Sequence, residues 1–301
     1  MLARFDGVTR LARIAVLCTF GLVVLGAVVR STGSGLACPD WPLCHGRILP
    51  PLQPHVLLEW SHRAVALGVS LLCAALAVRI AVGAALRRTL GGWMALALGL
   101  LALQVVLGAL TVWKLLHFSV VTLHLGNALL FLAALVALAE RASRAAEPDV
   151  RPEEGAAGGT TKRVWMVAAA ATLGQILLGG LVSTNHAGLA CPDFPLCHGA
   201  WWPLPGARLE HLQMTHRVGA FVLLALLVLA WARSRGAADP RVRAAGPVAL
   251  SLVLVQLVLG VFAVLLAVPV WLTAAHLATA TALWVLVVLT ALRAAASPVA
   301  R

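Results

Sequence analysis

Residues 94–110 read MALALGLLALQVVLGAL, seventeen residues with no charged side chain and no alternation of apolar and polar positions. Such a run reads as a membrane-spanning helix. A hydrocarbon core about 30 Å thick takes about 20 residues at 1.5 Å each, and every backbone N–H and C=O must pair within the segment. A closed barrel is the only other structure that spans lipid, and its strands would have to alternate. Working outward, apolar stretches of this type fall at roughly 11–29, 56–81, 92–112, 117–139, 164–182, 212–232, 247–267 and 270–292, each near the span length. The expectation is an all-α polytopic membrane protein with eight transmembrane helices and both termini on one side. The composition of the 301 residues agrees, with 61% hydrophobic and 11% charged, against about 25% charged in a soluble domain. A mean hydropathy of +0.95 excludes a soluble globular enzyme and a disordered chain alike. Without any Tyr, tyrosyl chemistry is excluded as well.

The net charge of +12 would suggest nucleic acid in a soluble protein, but here the cations follow membrane topology. The N-terminal segment, the 79–91, 140–163 and 233–246 loops and the C-terminal segment hold 17 of the 23 Lys and Arg. On the opposite side are Arg30, Arg47, Lys114 and Arg208, with Arg63 and Arg217 just inside helices. By the positive-inside rule the termini are cytoplasmic, the cell membrane is the expected location, and no nucleic-acid partner is expected. The first span is long for a signal-peptide core and has an internal counterpart in the fifth, so it reads as a retained helix.

Gly35–Gly46 reads GLACPDWPLCHG and Gly188–Gly199 reads GLACPDFPLCHG, eleven identities in twelve positions, which marks an internal repeat. The register extends with single-residue gaps: His62-Arg63 onto His216-Arg217, Gln104 and Gly108 onto Gln256 and Gly260, and His124 onto His276. The chain therefore reads as two pseudo-symmetric four-helix bundles, 1–140 and 164–301. With an even number of spans per repeat, both halves share one orientation about an axis along the membrane normal. Between them, residues 141–163, RASRAAEPDVRPEEGAAGGTTKR, are charged and rich in Ala, Gly and Pro, as a cytoplasmic linker would be.

Four histidines, His62, His124, His216 and His276, fall inside apolar spans at repeat-matched places. Ionisable residues there are costly and usually functional, although a lone histidine also serves as a hydrogen bond between helices. Depth separates the two readings. The second and fourth spans run in the same direction, and His62 and His124 lie about six and seven residues into them, roughly 9 to 10 Å below the outer surface at 1.5 Å per residue. Two imidazoles at one level can hold a planar cofactor between them, and similar arithmetic applies to His216 and His276. Each half is therefore expected to hold a haem between two axial histidines. A zinc site would need three or four ligands, and only two histidines per half lie at that depth. Gln104, Gln175 and Gln256 each precede a glycine by four residues, namely Gly108, Gly179 and Gly260. Close helix packing with an amide bonding across and clearance for a flat macrocycle both account for that pattern.

Glu59 lies three residues before His62, on the same helix face and one turn nearer the outer surface, and its counterpart before His216 is Gln213. Only the first half thus has an acid or base beside its histidine; a carboxylate solvated at headgroup level is the alternative. Cys38 and Cys44, like Cys191 and Cys197, enclose five residues in outer loops. An oxidising compartment makes disulfides the expectation there, each worth about 2 kcal/mol, and a redox role for the first pair stays open. The C-x-x-C-H spacing of covalent haem attachment is absent, although His45 and His198 follow the second cysteine of each pair. Cys18 and Cys73 read as small core hydrophobes.

Eight spans in two fused halves, paired cysteines in each first outer loop, the run Glu59-Trp60-Ser61-His62-Arg63, and His124, His216 and His276 together resemble the haem A synthase family over nearly the whole chain. The resemblance implies oxidation of a ring methyl of haem O to the formyl group of haem A, for assembly of haem-copper oxidases. It also implies that His62 and His124 hold haem O as substrate, that Glu59 serves catalysis, and that His216 and His276 ligate a resident haem b. A haem O synthase and an electron acceptor of unspecified identity are the implied partners. On the residues alone two other readings stay open. A di-haem b electron-transfer cytochrome would share the haems and topology but hold both haems permanently. A membrane thiol oxidoreductase would use the cysteines and leave four buried histidines unexplained.

Overall fold

The computed structural model describes residues 2–146 and 159–296. Its long helices are α1 (Leu2–Ser31), α2 (Pro54–Val82), α3 (Ala84–Trp113), α4 (Phe118–Ala146), α5 (Gly159–Thr184), α6 (Arg208–Ser234), α7 (Pro240–Leu265) and α8 (Val270–Ala296), with a short 3-10 turn at Ala187–Leu189. All eight are long and apolar enough to cross a membrane, so the chain is a multi-pass membrane protein.

The helices outrun the apolar stretches that mark them. Residues 79–91, expected as a loop, are helical on both sides of Gly83, where α2 ends and α3 begins. Arg79, Arg87 and Arg88 have stems long enough to lift their charge to water while the backbone stays helical, so hydropathy detects only the hydrocarbon-level part of each helix. The 233–246 loop likewise shrinks to the residues between Ser234 and Pro240. Asp239 caps α7 there by accepting from the Arg241 N–H, and Pro240 occupies the first turn. Of the expected linker 141–163, residues 147–158 lie outside the described residues, and its flanks belong to α4 and α5.

The chain divides into two compact units, Met1–Arg151 and Pro152–Arg301. In the first, α1 and α3 each pack against both α2 and α4, closing a ring in which α2 and α4 stand diagonally. In the second, α5 and α7 each pack against both α6 and α8, and α6 and α8 are the diagonal pair. The tightly packed core of the first unit uses the early part of α1 and α3 and the late part of α2 and α4: Val8, Leu76, Ile80, Leu90, Leu135 and Leu138 are almost wholly buried. Its equivalent in the second unit is built around Trp165, Leu227, Val242 and Val287. In lipid this packing is stabilised by close contact more than by escape from water. It fills one end of each bundle, and the histidines lie toward the other. Cys73 is buried in the first core, but Cys18, also expected as a core hydrophobe, is exposed on α1. A thiol facing lipid costs little, so hydropathy does not distinguish the two.

At the histidine end the turns repeat as well. Leu115 and Leu116 have φ of 48° and 57°, and Ala267 and Val268 have 56° and 57°. These left-handed pairs contain no glycine and are held by Leu116 N–H on the Thr111 carbonyl (2.8 Å) and Val268 N–H on the Ala263 carbonyl (2.7 Å). Leu116 and Val268 rest on Gly35 and Gly188, where an added Cβ would meet them at 3.3 and 3.4 Å. The first residue of the repeated motif thus seats one loop on the next in each unit.

Candidate functional site

The cysteines are joined as Cys38 to Cys44 and Cys191 to Cys197. Each loop is organised by its aspartate. Asp40 accepts from the N–H of His45 (2.6 Å) and Gly46 (2.7 Å), and Asp193 from those of His198 and Gly199 (both 2.8 Å). These N–H groups, Gly46 and Gly199 foremost, hold the two carboxyls below the usual carboxylate range. His45 and His198 sit at φ 54° and 52° and direct Nε2 to the carbonyls of Ala37 (2.9 Å) and Ala190 (2.8 Å). They close the loops.

An arginine and the residue one turn before it clamp each loop to the following helix. Arg63 donates to the carbonyls of Asp40 and Leu43 (both 2.6 Å) and Cys38 (3.1 Å), and pairs with Glu59 at 2.6 Å. Glu59 is only 4% exposed, and its Oε2 accepts from the Cys38 N–H at 2.7 Å, so it is not a carboxylate solvated among headgroups. In the second unit Arg217 donates to the carbonyls of Cys191 and Leu196 (both 2.7 Å). Gln213 accepts from the Cys191 N–H at 2.5 Å and donates to the Gly188 carbonyl at 2.8 Å. Positions 59 and 213 therefore perform one structural task, and they differ in charge.

His62 and His216 lie eight residues past the first residue of α2 and α6, and His124 and His276 six past that of α4 and α8. At 1.5 Å per residue that is about 12 and 9 Å along the axes, a difference of less than one turn. The structure places His62 and His124 at nearly one level on the diagonal helices α2 and α4, and His216 and His276 likewise on α6 and α8. Each ring is seated on a glycine of a neighbouring helix. A Cβ would lie 3.2 Å from His62 Cε1 if added to Gly26, 3.3 Å from His124 Cε1 at Gly108, 2.9 Å from His216 Cε1 at Gly179, and 3.1 Å from His276 Cε1 at Gly260. What these glycines admit is the imidazole itself. Gly26 escapes the Gln-x-x-x-Gly pattern because Leu22 precedes it, but the offset that maps Gly35 onto Gly188 also maps Gly26 onto Gly179.

The amides differ between units. Gln104 Nε2 lies 3.3 Å from His124 Nε2, and Asn127, another residue that sequence reading missed, donates to Gln104 Oε1 (2.7 Å) and to the Leu100 carbonyl (2.9 Å). Gln175 Nε2 lies 3.0 Å from His216 Nδ1 and donates to the His216 carbonyl at 2.8 Å. Gln256 Oε1 and the Nδ1 atoms of His62, His124 and His276 are buried without a hydrogen-bond partner. Unpartnered buried ring nitrogens indicate a pairing that the protein alone leaves incomplete. Among the described residues no group of three or more His, Cys, Asp or Glu converges, so the shell of a tetrahedral zinc is lacking. Two imidazoles on diagonal helices, seated against glycine, fit the axial positions of a haem.

Comparison with known proteins points the same way. The chain matches the family described as cytochrome oxidase assembly protein (COX15-CtaA) over residues 9–56 and 52–288. A protein of Shewanella oneidensis named heme A synthase is 28% identical over 89% of this chain and 91% of its own length. Relatives of the same name in Bacillus pumilus and Brucella anthropi are 33% and 30% identical, over 72% and 85% of this chain and 72% and 83% of their own.

Proposed function

The chain belongs to the cytochrome oxidase assembly protein family, and from that membership we infer a membrane oxidoreductase that converts haem O to haem A. Within it we propose a division of labour. His62 and His124 hold haem O as substrate, His216 and His276 hold a resident haem b, and Glu59 is the catalytic acid-base group. One observation carries this assignment. Two repeat-matched pairs of diagonal imidazoles share the same glycine seats and the same clamped loops, and among the described residues only the first pair has a carboxylate one turn before its first histidine.

Oxidising a ring methyl to a formyl group with water as the oxygen source (–CH3 + H2O → –CHO + 4 H+ + 4 e−) releases protons as well as electrons. Haem b, when bound, supplies a one-electron relay toward an acceptor outside the chain. Glu59 supplies the proton-accepting oxygen. Its Oε2 is fixed by the Cys38 N–H, and its Oε1 faces an arginine that three backbone carbonyls also hold. Oε1 can therefore take and release a proton without freeing the clamp. A haem O synthase is the proposed source of substrate. The distribution of Lys and Arg supports a location in the cell membrane with the termini cytoplasmic.

The test is haem content by unit. His216→Ala and His276→Ala should each lower bound haem b to about a tenth or less, since losing an axial ligand costs at least the 10-fold of losing an outer-shell partner. His62→Ala and His124→Ala should spare haem b and remove haem O and haem A. Haem b lost from both pairs alike would instead identify a di-haem electron carrier.

A further inference from the structure

The second unit contains a device that the first lacks. Gln175, on α5, reaches across to α6 and touches His216 twice, at ring Nδ1 and at the backbone carbonyl. It has room because residue 219, one helical turn beyond His216, is glycine, and a Cβ there would collide with Gln175 Oε1. The two residues are paired in space and serve one ring. In the first unit the same repeat positions hold Leu22, which packs on the apolar core, and Val65, which is 41% exposed. His62 accordingly keeps a buried Nδ1 without a partner. Both members of the pair have thus changed between the repeats, while the histidine, its glycine seat and its loop clamp are the same.

We propose that Gln175, admitted by Gly219, is a positioning residue that fixes His216 for ligation and so retains the resident haem, whereas Leu22 and Val65 leave His62 free to release a haem that must exit as product. The inference rests on the assignment of haem b to the second unit and adds the means by which that haem stays while the other exchanges. A ligating imidazole is oriented by the partner of its second nitrogen, which also sets how strongly it donates to iron. When Nδ1 carries the proton, as ligation through Nε2 requires, a half-turn of the amide presents Oε1 to Nδ1–H in place of the two bonds that its nitrogen makes to the unligated residue.

The experiment uses the purified full-length protein. Gln175→Leu, which installs the first unit's residue, should speed loss of haem b to apomyoglobin by about 10-fold, the lower end for removing an outer-shell partner, and raise the high-spin share of its absorption spectrum. Gln175→Glu retains an acceptor for Nδ1–H and should keep haem b bound, with a lower midpoint potential. The reciprocal double variant Leu22→Gln/Val65→Gly should slow release of haem O and haem A to apomyoglobin by a similar factor and leave haem b unchanged. Wild-type haem b loss and spectrum in Gln175→Leu would overturn the proposal. Should that variant fail to insert, unchanged release from the double variant would overturn it instead. His216→Ala tests the underlying assignment separately, since it removes the ligand and leaves Gln175 in place.

Discussion

The two units are most alike where they look most elaborate and differ where a single side chain is exchanged. Both have the disulfide loop, the aspartate that ties its two N–H groups, the arginine that gathers its carbonyls, and glycines under both imidazoles. Against that constant scaffold, the first unit has Glu59 where the second has Gln213, and Leu22 where it has Gln175. The shared geometry holds the loops and imidazoles alike in both units, and the exchanged residues are where the proposed division of labour is open to test. Gln213 also shows what a glutamine does at the place of Glu59, since it accepts from the loop N–H in the same way. Glu59→Gln should for that reason leave the first loop clamped and haem b bound while lowering haem A formation by a factor on the order of 10² to 10⁴, the usual contribution of a general acid or base. The measurement is haem A by chromatography, normalised to haem b, after expression with a supply of haem O. A wild-type yield would make positions 59 and 213 equivalent in function as well as in structure.

Truncation reads the shared task instead. Glu59→Ala and Gln213→Ala each strand a buried N–H, of Cys38 or Cys191, at a cost of about 1–3 kcal/mol. Only the first also leaves an arginine without its acid. The two losses, compared as thermal unfolding of the detergent-solubilised protein, should both fall in that range, with Glu59→Ala the larger. An equal loss would mean that the Glu59 and Arg63 pair adds no more than the bond from Gln213 to the Gly188 carbonyl, which Gln213→Ala also removes.

How far these features were legible depends on whether a residue acts along the chain or across it. The eight helices follow from apolar runs such as 94–110, and the histidine pairs follow from repeat register and depth, because both depend on position along one helix. The helix ends near Arg79 and Arg87 did not follow, since side chains that snorkel hide the continuation of the backbone. The environment of Glu59 was invisible for a different reason. Its partner Cys38 belongs to another segment, and only a loop folded back on α2 brings them together. Asn127 and Gly219 act through Gln104 and Gln175 on neighbouring helices, and no spacing rule within one helix identifies them.

The glycine seats test whether the rings are held equally in the two units. Gly179 is the tighter seat, 2.9 Å from His216 against 3.2 Å at Gly26. Gly179→Ala gains up to about 1 kcal/mol of helix propensity but forces the ring aside at an overpacking cost of about 1–3 kcal/mol. A net loss of up to about 2 kcal/mol is expected, together with weaker retention of haem b. Gly174, on the same helix, has no atom within 4 Å of an added Cβ, so Gly174→Ala should be neutral or stabilising. If both variants lower haem b equally, backbone flexibility of α5 matters and the seat does not.

The smallest expected effect concerns the loops, where the units should be alike. Asp40 and Asp193 are both held below the usual carboxylate range by N–H groups of their own loops. A carboxyl more acidic in the folded than in the unfolded state stabilises fully above its unfolded pKa, about 3.9 for Asp, and that contribution is lost as pH falls through the lower folded value. From neutral pH to about 5 the two aspartates should contribute no change, because both carboxylates remain ionised on either side of folding. Below about 4, amide exchange at His45 and Gly46, and at His198 and Gly199, normalised to the intrinsic rate, should accelerate as the carboxylates protonate. Asp40→Asn and Asp193→Asn should each abolish that acceleration in their own loop. If the first loop loosened at a distinctly higher pH than the second, the Asp40 carboxylate would not be the group responsible.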